Sequence, residues 1–416
     1  MLRVVESFSG IGSQVKALKN AKIEHEIIAT IEWDINAIIA YDLIHHGEQD
    51  LAEYERLNKD EMLKKLSTLT LSSDGKSPLK EKSLSRFNKN QLMHLLCAIR
   101  RSNNLGSITD INGIDLPDNL DLFTYSFPCQ DLSIAGAWHG NNSGIDRNAN
   151  NRSGMLWQVE RILLERYNLG LTLPKFLLME NVSNILSNTH KHNFDDWKAK
   201  LSEMGYVNYV YPLNAKRFGI PQKRERVYML SIKVDDNEEL KKRIDDFIIN
   251  NDLKNEIYVR TLNIEDKTIR DILRTNYEKN DIYKKEANES QPNDTESRRK
   301  IRDQNDLIYD GNNKYIDVVS TITTKQDRNP NSGVIMYDSK RSGKSNFRYL
   351  TPRECFMLMG FDEEDFQKVL DNDFMVTNNR NFFTNGKLYK LAGNSIVVNV
   401  LEAIFKQIDY INRYIL

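Results

Sequence analysis

The sequence predicts an α/β fold: a largely parallel sheet with helices on both faces, followed by a smaller, loop-rich region. Short apolar runs alternate with helical patterns through the first part of the chain, a rhythm typical of parallel sheets with crossover helices. The stretch 275–313 is polar and poor in apolar residues, and we expect loop-rich, partly mobile chain there. At 416 residues the chain suffices for one large or two ordinary domains.

The elements of the predicted sheet follow one another in chain order. We predict a strand at 2–8, a helix at 13–20, a strand at 26–33, a helix at 34–44, and further strands at 119–127, 175–181, 206–214 and 226–234. Residues of about 45–105 interrupt this order with charged helical stretches around the polar turn "SSDGKSP". We interpret them as an insertion. Later, 318–325 and 332–338 are strand-like, a helix begins at 351, and 394–416 has the apolar face of a helix.

Charge and cysteine content limit the possible classes of protein. The 58 basic and 59 acidic residues nearly cancel, so net charge argues neither for nor against nucleic acid. Cys97, Cys129 and Cys355 are too few and too scattered for a disulfide framework or a zinc site, which indicates a reducing compartment. The chain start lacks the pattern of a signal peptide, and no apolar run suggests a membrane span. We therefore expect a cytoplasmic protein without membrane association.

The stretch "ESFSGIGSQ", residues 6–14, has the pattern of a strand, a glycine turn and a helix start. Gly10 and Gly12 allow the backbone to approach a ligand closely, although tight turns without a ligand are as common. Glu32 lies about 20 residues further on, where an acidic residue meets ribose hydroxyls, and Trp33 offers a flat face for an adenine. Together these features favour a nucleoside-containing cofactor over a surface acid and an edge-packing tryptophan.

The stretch "TYSFPCQD", residues 124–131, places Cys129 directly after a proline and a predicted buried strand. A lone cysteine is more often packing than chemistry, and a thiol is nucleophilic only as the thiolate. Glu180 lies at the end of another predicted strand, at the edge of a parallel sheet where functional side chains gather. Arg224 and Arg226 alternate, so one face of a strand would present both to a carboxylate, a phosphate or a base edge. A capping acid and solvated charges remain the alternatives.

These blocks resemble the motifs of the cytosine-5 DNA methyltransferases, in that family's order. The matching stretches are "FSGIG", "EWD", "SFPCQDLSIAG", "NRSGMLWQVERIL", "MENV", "PQKRERVYML", "YLTPRECFMLMGF" and "YKLAGNSIVVNVLEAIF". They cover essentially everything except about 45–105 and 235–345. With this many motifs at consistent spacing, the reactive interpretation of Cys129 is favoured. The glycine and cysteine blocks resemble in particular those of the mollicute CpG-methylating branch, which leaves the DNA target site open.

The resemblance implies a Rossmann-like, S-adenosylmethionine-dependent methyltransferase sheet with a smaller, loop-rich target-recognition domain. The implied catalytic and cofactor-binding domain spans 1–234, with the insertion at about 45–105, to which no function is assigned. Target recognition is implied for 235–345, and 346–416 would return to the catalytic domain. The implied activity is that of a DNA (cytosine-5-)-methyltransferase acting on double-stranded DNA, in a restriction-modification or phage-protection role.

The implied reaction is carried by a thiol, an acid and two arginines. The target cytosine must leave the duplex, because its C5 and C6 atoms are unreachable in the base stack. Cys129 would then attack C6, and Glu180 would bind and protonate N3. Arg226 would contact O2, with Arg224 supporting the acid, so that charge growing in the transition state is stabilised.

Two residues before the thiol have implied positioning roles. Pro128 would stiffen the loop and hold the sulfur in line. The carbonyl of Phe127 would recognise the amino group of the cytosine.

The remaining implied site residues fall into a cofactor set and a DNA set. The residues expected to bind S-adenosylmethionine are Phe8, Gly10, Ile11, Gly12, Glu32, Trp33, Asp110, Ile111, Leu156, Asn394 and Ser395. The last helix would then pack beside the first strand. The residues expected to contact DNA are Gln130, Ser133 and Arg152 on the loop after the catalytic cysteine, and Thr321, Ile322 and Lys325 around "STITT", which resembles the family's Thr-Leu signature.

Other assignments have sequence features that distinguish them. Transfer-RNA cytosine methyltransferases of this type carry Pro-Pro-Cys and Cys-Phe-Thr, whereas this chain has Phe-Pro-Cys and "CFM". A non-catalytic DNA-binding relative would need a damaged Cys129, Glu180 or Arg226. An N6-adenine enzyme would need an Asn/Asp-Pro-Pro motif, and the chain contains no Pro-Pro. We expect a monomer, and the sequence leaves open whether a cognate restriction endonuclease, acting separately, accompanies it.

Overall fold

The structure is a computed structural model that describes residues 1–128, 132, 145 and 153–416. Four predicted site residues therefore lie outside the described residues: Cys129, Gln130, Ser133 and Arg152. The described chain divides into two compact units. The first consists of Met1–Leu213, Glu225–Leu262 and Leu401–Leu416, and the second of Asn214–Arg224 and Asn263–Val400.

The bounds of the compact units differ from the predicted domain bounds. Residues 346–400 belong to the second unit, and only Leu401–Leu416 joins the first. Residues 235–262, predicted as part of the recognition region, belong to the first unit, whereas Asn214–Arg224 belongs to the second. Because compactness does not assign function, the catalytic and recognition roles of these segments stay predictions.

The first unit is built on a six-stranded sheet. Its strands are β1 (Leu2–Ser7), β2 (His25–Ile31), β3 (Leu122–Tyr125), β4 (Phe176–Val182), β5 (Tyr206–Asn214) and β7 (Glu225–Lys233), in the spatial order β2-β1-β3-β4-β7-β5. Strands β1 to β4 pair in parallel, and β7 runs antiparallel to β4. The connection between β5 and β7, residues 215–224, is too short for the crossover that would be needed if β7 ran parallel to β5. The predicted α/β fold is confirmed, with a mixed sheet.

The register of the sheet brings three predicted site segments to one edge. Ser7 pairs with Tyr125, and Tyr125 pairs with Met179. The residues that follow these positions leave the carboxyl ends of parallel strands, which is where ligands bind in sheets of this kind. Strands β3 and β4 are buried along nearly their whole length, as is typical of central strands whose two faces are both covered.

The helices of the first unit are α1 (Ser13–Asn20), α2 (Ile35–His46), α3 (Ala52–Glu55), α4 (Lys59–Leu66), α5 (Glu81–Leu84), α6 (Lys89–Arg101), α7 (Leu156–Asn168), α8 (Lys191–Glu203), α9 (Glu238–Asn250), α10 (Glu256–Thr261) and most of α17 (Val398–Tyr414). Four of them, α3 to α6, lie in the insertion. Short 3₁₀ helices lie at Gly113–Asp115, Ser153–Met155 and Ser183–Leu186. Asn20 at the end of α1 donates to Glu402 Oε1 at 2.8 Å, so the last helix lies against the first.

The insertion is helical, as its sequence predicts, and it also covers an edge of the sheet. Asn58 and Asn88 each begin a helix with a reciprocal capping box. Near its end, Asn104 forms a parallel bridge with Thr30 of β2. Since β2 is the outermost strand on this side, the bridge covers backbone groups that would otherwise be open to another chain.

The second unit combines short strands with short helices. The strands are β6 (Gln222–Lys223), β8 (Leu307–Tyr309), β9 (Val319–Ser320), β10 (Val334–Met336), β11 (Phe347–Arg348), β12 (Met375–Thr377) and β13 (Arg380–Asn381). The helices are α11 (Ile269–Ile272), α12 (Asp281–Glu289), α13 (Glu296–Asp303), α14 (Pro352–Met357), α15 (Glu363–Asp371) and α16 (Asn385–Asn394), and a 3₁₀ helix spans Ala215–Phe218. Strands β8, β10 and β11 form one small sheet, and β6 pairs with β9.

The prediction of loop-rich chain at 275–313 is wrong in part, because α12, α13 and β8 lie within it. Helix α12 is held by tertiary contacts. Its Glu286 accepts hydrogen bonds at 2.7–3.1 Å from the guanidinium of Arg353, and the Arg353 side chain is almost fully buried. Such a contact between distant residues is invisible to local composition.

The stretch Asn385–Tyr414, which comprises α16 and α17, is long and apolar enough to cross a membrane by composition alone. However, 83% of its most apolar window is buried inside the protein, as is typical of core helices. The finding therefore agrees with the expectation that no apolar run suggests a span.

Candidate active site

Glu180 lies near the end of β4, where the buried run "FLLM" gives way to the edge of the sheet. The residue is 6% exposed, and its two carboxylate oxygens have separate partners. Ser126 Oγ donates to Oε2 at 2.5 Å, and Arg226 Nε lies 3.5 Å from Oε1. A buried carboxylate needs such donors, because an unpaired charge there would be costly. The arrangement fixes the orientation of the acid.

The structure gives this acid a partner in addition to the predicted Arg224. Arg226 supports Glu180 directly, since β7 pairs with β4 and places Arg226 opposite Val182. The guanidinium of Arg224 instead donates to three backbone carbonyls of the second unit. They are those of Ile322, Gly393 and Ser395, at 3.0, 3.3 and 2.9 Å. Strand β7 begins at Glu225, and support of the acid by Arg224 stays a prediction.

The start of the cysteine loop is fixed by an asparagine that follows the acid. Asn181 Nδ2 donates to the carbonyl oxygen of Phe127 at 3.0 Å, and both residues are buried. The same oxygen was predicted to recognise the cytosine amino group. A carbonyl oxygen has two lone pairs, so the bond to Asn181 orients it and leaves acceptor capacity. Pro128 follows, half-buried, as the last described residue before Cys129.

Two further contacts hold the described residues of the segment after Cys129. Asn184 Nδ2 donates to the carbonyl of Leu132 at 2.6 Å, and Trp157 Nε1 donates to that of Ile145 at 3.1 Å. Leu132 and Ile145 are both buried in the main hydrophobic cluster. Leu132 and Ile145 are therefore both held in the core of the first unit.

The glycine turn after β1 contains two glycines with different functions. Phe8 and Gly10 both adopt φ of 55°, a left-handed conformation that favours glycine. A Cβ on Gly10 would meet no described atom within 4 Å, whereas one on Gly12 would lie 2.2 Å from His45 Nε2 and 2.8 Å from Tyr41. Gly10 thus borders open space, as the cofactor prediction requires. Gly12 has to lack a side chain because it packs against His45 and Tyr41 of α2, and its predicted role in approaching a ligand stays a prediction.

His45 explains how Ile11 is held in this turn. Its Nε2 lies 2.9 Å from the carbonyl oxygen of Ile11. Burial lowers the pKa of His45 well below its usual value, so the ring is neutral and its Nε2–H donates to the carbonyl. The side chain of Ile11 is itself buried.

The Glu32 carboxylate joins the turn after β1 to the end of β2. We call this part of the sheet, with Gly10, Glu32, Trp33 and Asp110, the cofactor edge. The Glu32 Oε2 accepts from the Gly10 amide at 3.0 Å, and its Oε1 accepts from the amides of Trp33 and Asp34 at 2.9 and 2.8 Å. Burial raises the pKa of Glu32 to about 7, and the nearby Asp34 carboxylate adds to the rise while the three amides oppose it. With half-buried Trp33 beside the acid and open space at Gly10, these residues fit a nucleoside-containing cofactor.

The other predicted cofactor residues of the first unit differ in exposure. Asp110 is exposed, and its Oδ2 accepts from the Thr70 amide at 3.1 Å. Ile111 and Leu156 are both buried in the main hydrophobic cluster. Asp110 can therefore reach a ligand from solvent, whereas the other two act as packing beneath the edge.

Asn394 and Ser395 lie in the second unit, at the end of α16. Asn394 is exposed, and Ser395 is buried with its hydroxyl bonded to the Leu391 carbonyl at 2.9 Å. A Cβ on the preceding Gly393 would lie 2.5 Å from the backbone of Thr323. This turn and the "STITT" segment are thus in direct backbone contact.

The predicted recognition residues are placed unequally around that segment. Ile322 is 1% exposed, and its amide donates to Gln222 Oε1 at 2.9 Å. Its side chain is therefore not on the surface, where a base contact would need it. Thr321 is half-buried and donates to the Lys223 carbonyl at 2.6 Å, and Lys325 is exposed.

Comparison with known proteins identifies the family. A family model described as C-5 cytosine-specific DNA methylase matches residues 80–410. The chain belongs to this family. It is therefore a DNA (cytosine-5-)-methyltransferase, of a family that in general depends on S-adenosylmethionine, and DNA is the substrate.

Two curated relatives of this methyltransferase align along nearly the whole chain. The orphan methyltransferase M.SssI of Spiroplasma monobiae (strain ATCC 33825 / MQ-1) is 34% identical, covering 98% of this chain and 97% of its own length. The type II methyltransferase M2.ScrFI of Lactococcus lactis subsp. cremoris is also 34% identical, covering 98% and 99%. The predicted family resemblance is confirmed.

Solved structures agree on the fold of the methyltransferase. The S. pombe Dnmt2 methyltransferase aligns over 100% of both chains with a TM-score of 0.59 and 19% identity. The Entamoeba histolytica methyltransferase EhMeth aligns over 98% of both chains with a TM-score of 0.54 and 15% identity. At this level of identity the likeness concerns the fold alone.

Two contacts of the methyltransferase site were missed from the sequence: Ser126 to Glu180, and Asn181 to Phe127. Both new residues lie inside the motifs that predicted the site. A register argument could have found Ser126, because Tyr125 pairs with Met179 and the next residues of parallel strands are neighbours. The contact of Asn181 depends on the path of a loop, for which the sequence carries no comparable signal.

Proposed function

We propose that the methyltransferase flips a target cytosine out of double-stranded DNA and methylates C5 through a covalent bond between Cys129 and C6. The observation that carries this proposal is the oriented acid: Glu180 held between Ser126 and Arg226 at the carboxyl end of β4, in a chain of the cytosine-5 family. Monomeric action in the cytoplasm is part of the proposal.

The reaction begins at C6 of the flipped base. The thiolate of Cys129 forms the S–C6 bond, and the electron pair of the ring double bond moves toward N3, which takes a proton from Glu180. Arg226 contacts O2 of the base and holds the acid in place as charge develops. Asn181 keeps the Phe127 carbonyl directed, so that it can accept a hydrogen bond from the exocyclic amine.

The second half of the reaction restores the aromatic ring. S-adenosylmethionine, when bound, supplies an electrophilic methyl group to C5. The C5 proton is then lost to solvent, and its electron pair forms the C5–C6 double bond as the C6–S bond breaks and Cys129 leaves as thiolate. The proton on N3 returns to Glu180, which restores the acid. Glu32, Trp33 and Asp110 would hold the adenosine part of the cofactor, with Gly10 leaving room beside them.

We further propose that the second unit recognises the DNA sequence. It contains the exposed Lys325 and the half-buried Thr321, whereas buried Ile322 positions this segment from beneath. A restriction-modification role is supported by the relative that is named a type II methyltransferase, and a phage-protection role by a 24% identical orphan methyltransferase of Bacillus phage SPR.

The covalent mechanism is tested on the nucleophile. We expect Cys129→Ser to lose methyl transfer by at least about a thousandfold while it keeps cofactor affinity, because a hydroxyl is a far poorer nucleophile than a thiolate. The wild-type enzyme should form a denaturation-resistant adduct with duplex DNA carrying 5-fluorocytosine at the target, since fluorine blocks the final elimination. Gel electrophoresis under denaturing conditions measures the adduct.

The control for this experiment is Cys355→Ser, since Cys355 is buried in the second unit and we expect its adduct yield to equal that of the wild type. Absence of any adduct during turnover would exclude the covalent mechanism. Methylation of a transfer-RNA transcript in preference to duplex DNA would exclude the proposed substrate.

A further inference from the structure

The insertion contacts the cofactor edge at a turn whose function the methyltransferase motifs do not explain. After β2 ends, the Ser72 amide donates to the carbonyl of Trp33 at 2.7 Å, and the Ile35 amide donates to the carbonyl of Ser72 at 2.9 Å. Asp34 and Ser72 thus form a parallel bridge. The backbone on both sides of Asp34 is held by one residue of the insertion.

A second contact joins the same turn to the opposite side of the cofactor edge. The Thr70 amide donates to Asp110 Oδ2 at 3.1 Å. Leu69 packs nearby, because a Cβ on Gly106 would lie 3.4 Å from its side chain. Residues 69–72 therefore contact both Trp33 and Asp110, two of the residues proposed to hold the adenosine part of the cofactor.

The turn is internally ordered. Ser72 is fully buried, and its hydroxyl bonds to the Ser77 carbonyl at 2.7 Å and accepts from the Gly75 amide at 2.9 Å. Asp74 Oδ1 accepts from the amides of Lys76 and Ser77 at 2.8 and 3.0 Å. These bonds make the segment a stable support.

An asparagine of α2 attaches this support to the body of the unit. Asn36 Nδ2 donates to the Ser73 carbonyl at 3.0 Å and to Asp34 Oδ1 at 2.7 Å. The turn is thus anchored next to the acid and the aromatic ring of the cofactor edge.

We propose that the turn 69–77 is a positioning element for the adenosine part of the cofactor, and that it sets the separation of Trp33 and Asp110. This inference rests on the proposed binding of S-adenosylmethionine at this edge. A ring that stacks on one residue and donates to another binds tightly only when both are held in place beforehand, since ordering them on binding would cost affinity. The insertion therefore contributes to cofactor affinity without entering the chemistry.

The test loosens the turn without removing any residue assigned to the ligand. Ser72→Ala removes the central hydroxyl of the turn, and Asn36→Ala removes its anchor. We expect each to raise the Kd of S-adenosylhomocysteine, measured by calorimetry, by about threefold to tenfold, the consequence of losing one supporting hydrogen bond. DNA affinity and kcat at saturating cofactor should stay within about twofold of the wild type.

The matched control is Asn58→Ala, which removes the cap of α4 elsewhere in the insertion. Asn58→Ala should lower the thermal midpoint about as much as Ser72→Ala and Asn36→Ala do. It should leave the Kd of S-adenosylhomocysteine unchanged. An equal rise of Kd in Asn58→Ala would show general loosening of the insertion and overturn the inference. Unchanged Kd in Ser72→Ala and Asn36→Ala, with weaker binding in Glu32→Ala, would overturn the inference and leave the proposed function intact. Lack of cofactor affinity in the wild type would contradict the proposed function itself.

Discussion

At the residue scale, the carboxylate of Glu32 combines a structural function with the binding function proposed for it. It receives three backbone amides, which fix the turn after β1 to the end of β2. Its burial nevertheless disfavours the charge and raises the pKa to about 7. The group therefore titrates close to neutral pH, where small changes alter the acceptor offered to the ribose hydroxyls.

This titration predicts pH-dependent cofactor affinity. The ionised carboxylate accepts hydrogen bonds from two hydroxyls, so binding favours the ionised form and must release the proton that Glu32 carries below about pH 7. We expect the Kd of S-adenosylmethionine to rise as pH falls through this value, by up to about tenfold for one pH unit. Calorimetry from about pH 6 to about pH 8.5 measures the effect.

Glu32→Gln serves as the control for this pH dependence. An amide does not titrate, so its Kd should be weaker and nearly flat with pH. The same slope in wild type and Glu32→Gln would assign the titration to another group.

At the scale of elements, the second unit depends on ion pairs between helices. Arg353 of α14 contacts Glu286 of α12 and Glu363 of α15, at 2.7 and 3.3 Å. Arg348 pairs with Glu354 at 2.8 Å with both side chains fully buried, and Glu354 also caps α14. The motif "YLTPRECFMLMGF" therefore has a structural function in this unit.

Removal of one partner of such a pair should be costly. Glu286→Ala leaves the Arg353 guanidinium without its main counter-charge, and we expect the second unit to lose about 3 kcal/mol in free energy of unfolding. Urea denaturation monitored by hydrogen exchange of the α12 amides measures the free energy of unfolding of the second unit. A local probe is needed because the two units need not unfold together.

The matched control is Glu296→Ala on α13, where the pair with Lys300 is exposed on both sides. We expect a change below about 1 kcal/mol there. The double variant Glu286→Leu with Arg353→Met should recover part of the loss, since it leaves no unpaired charge. Equal losses at Glu286 and Glu296 would contradict the proposed structural weight of the buried pair.

The same elements show what the sequence could predict. The strands and helices of the first unit agree closely with the prediction, because the spacing of apolar residues along the sequence shows which face of an element is buried. The predicted strand at 206–214, for example, is observed as Tyr206–Asn214. Helix α12 was missed, since its stability comes from Arg353, 67 residues away in the sequence. The contact of Arg226 with Glu180 was not predicted either, because it depends on the pairing of β7 with β4.

At the scale of the whole molecule, the second unit brings segments with different predicted functions together. Arg224 donates to the carbonyls of Ile322, in the predicted recognition segment, and of Ser395, in the predicted cofactor set. The backbone of the "STITT" segment lies so close to Gly393 that a Cβ there would clash with it. A change at either segment can therefore shift the other, and an experiment on recognition has to measure cofactor affinity as well.

The assignment of sequence recognition to the second unit predicts separate effects of Thr321 and Lys325. Thr321→Ala should relax preference at one base pair, at a cost of about 1–3 kcal/mol, because base contacts discriminate. Lys325→Ala should weaken binding to all DNA sequences alike, because phosphate contacts only position the protein. It should also reduce the salt dependence of DNA affinity by about one phosphate contact. Methylation of a randomised duplex pool at several salt concentrations measures both, and Thr321→Ser, which keeps the hydroxyl that donates to the Lys223 carbonyl, is the control. If both alanine variants kept the wild-type preference and salt dependence and lost affinity for S-adenosylmethionine instead, this segment would belong to the cofactor site and recognition would lie elsewhere.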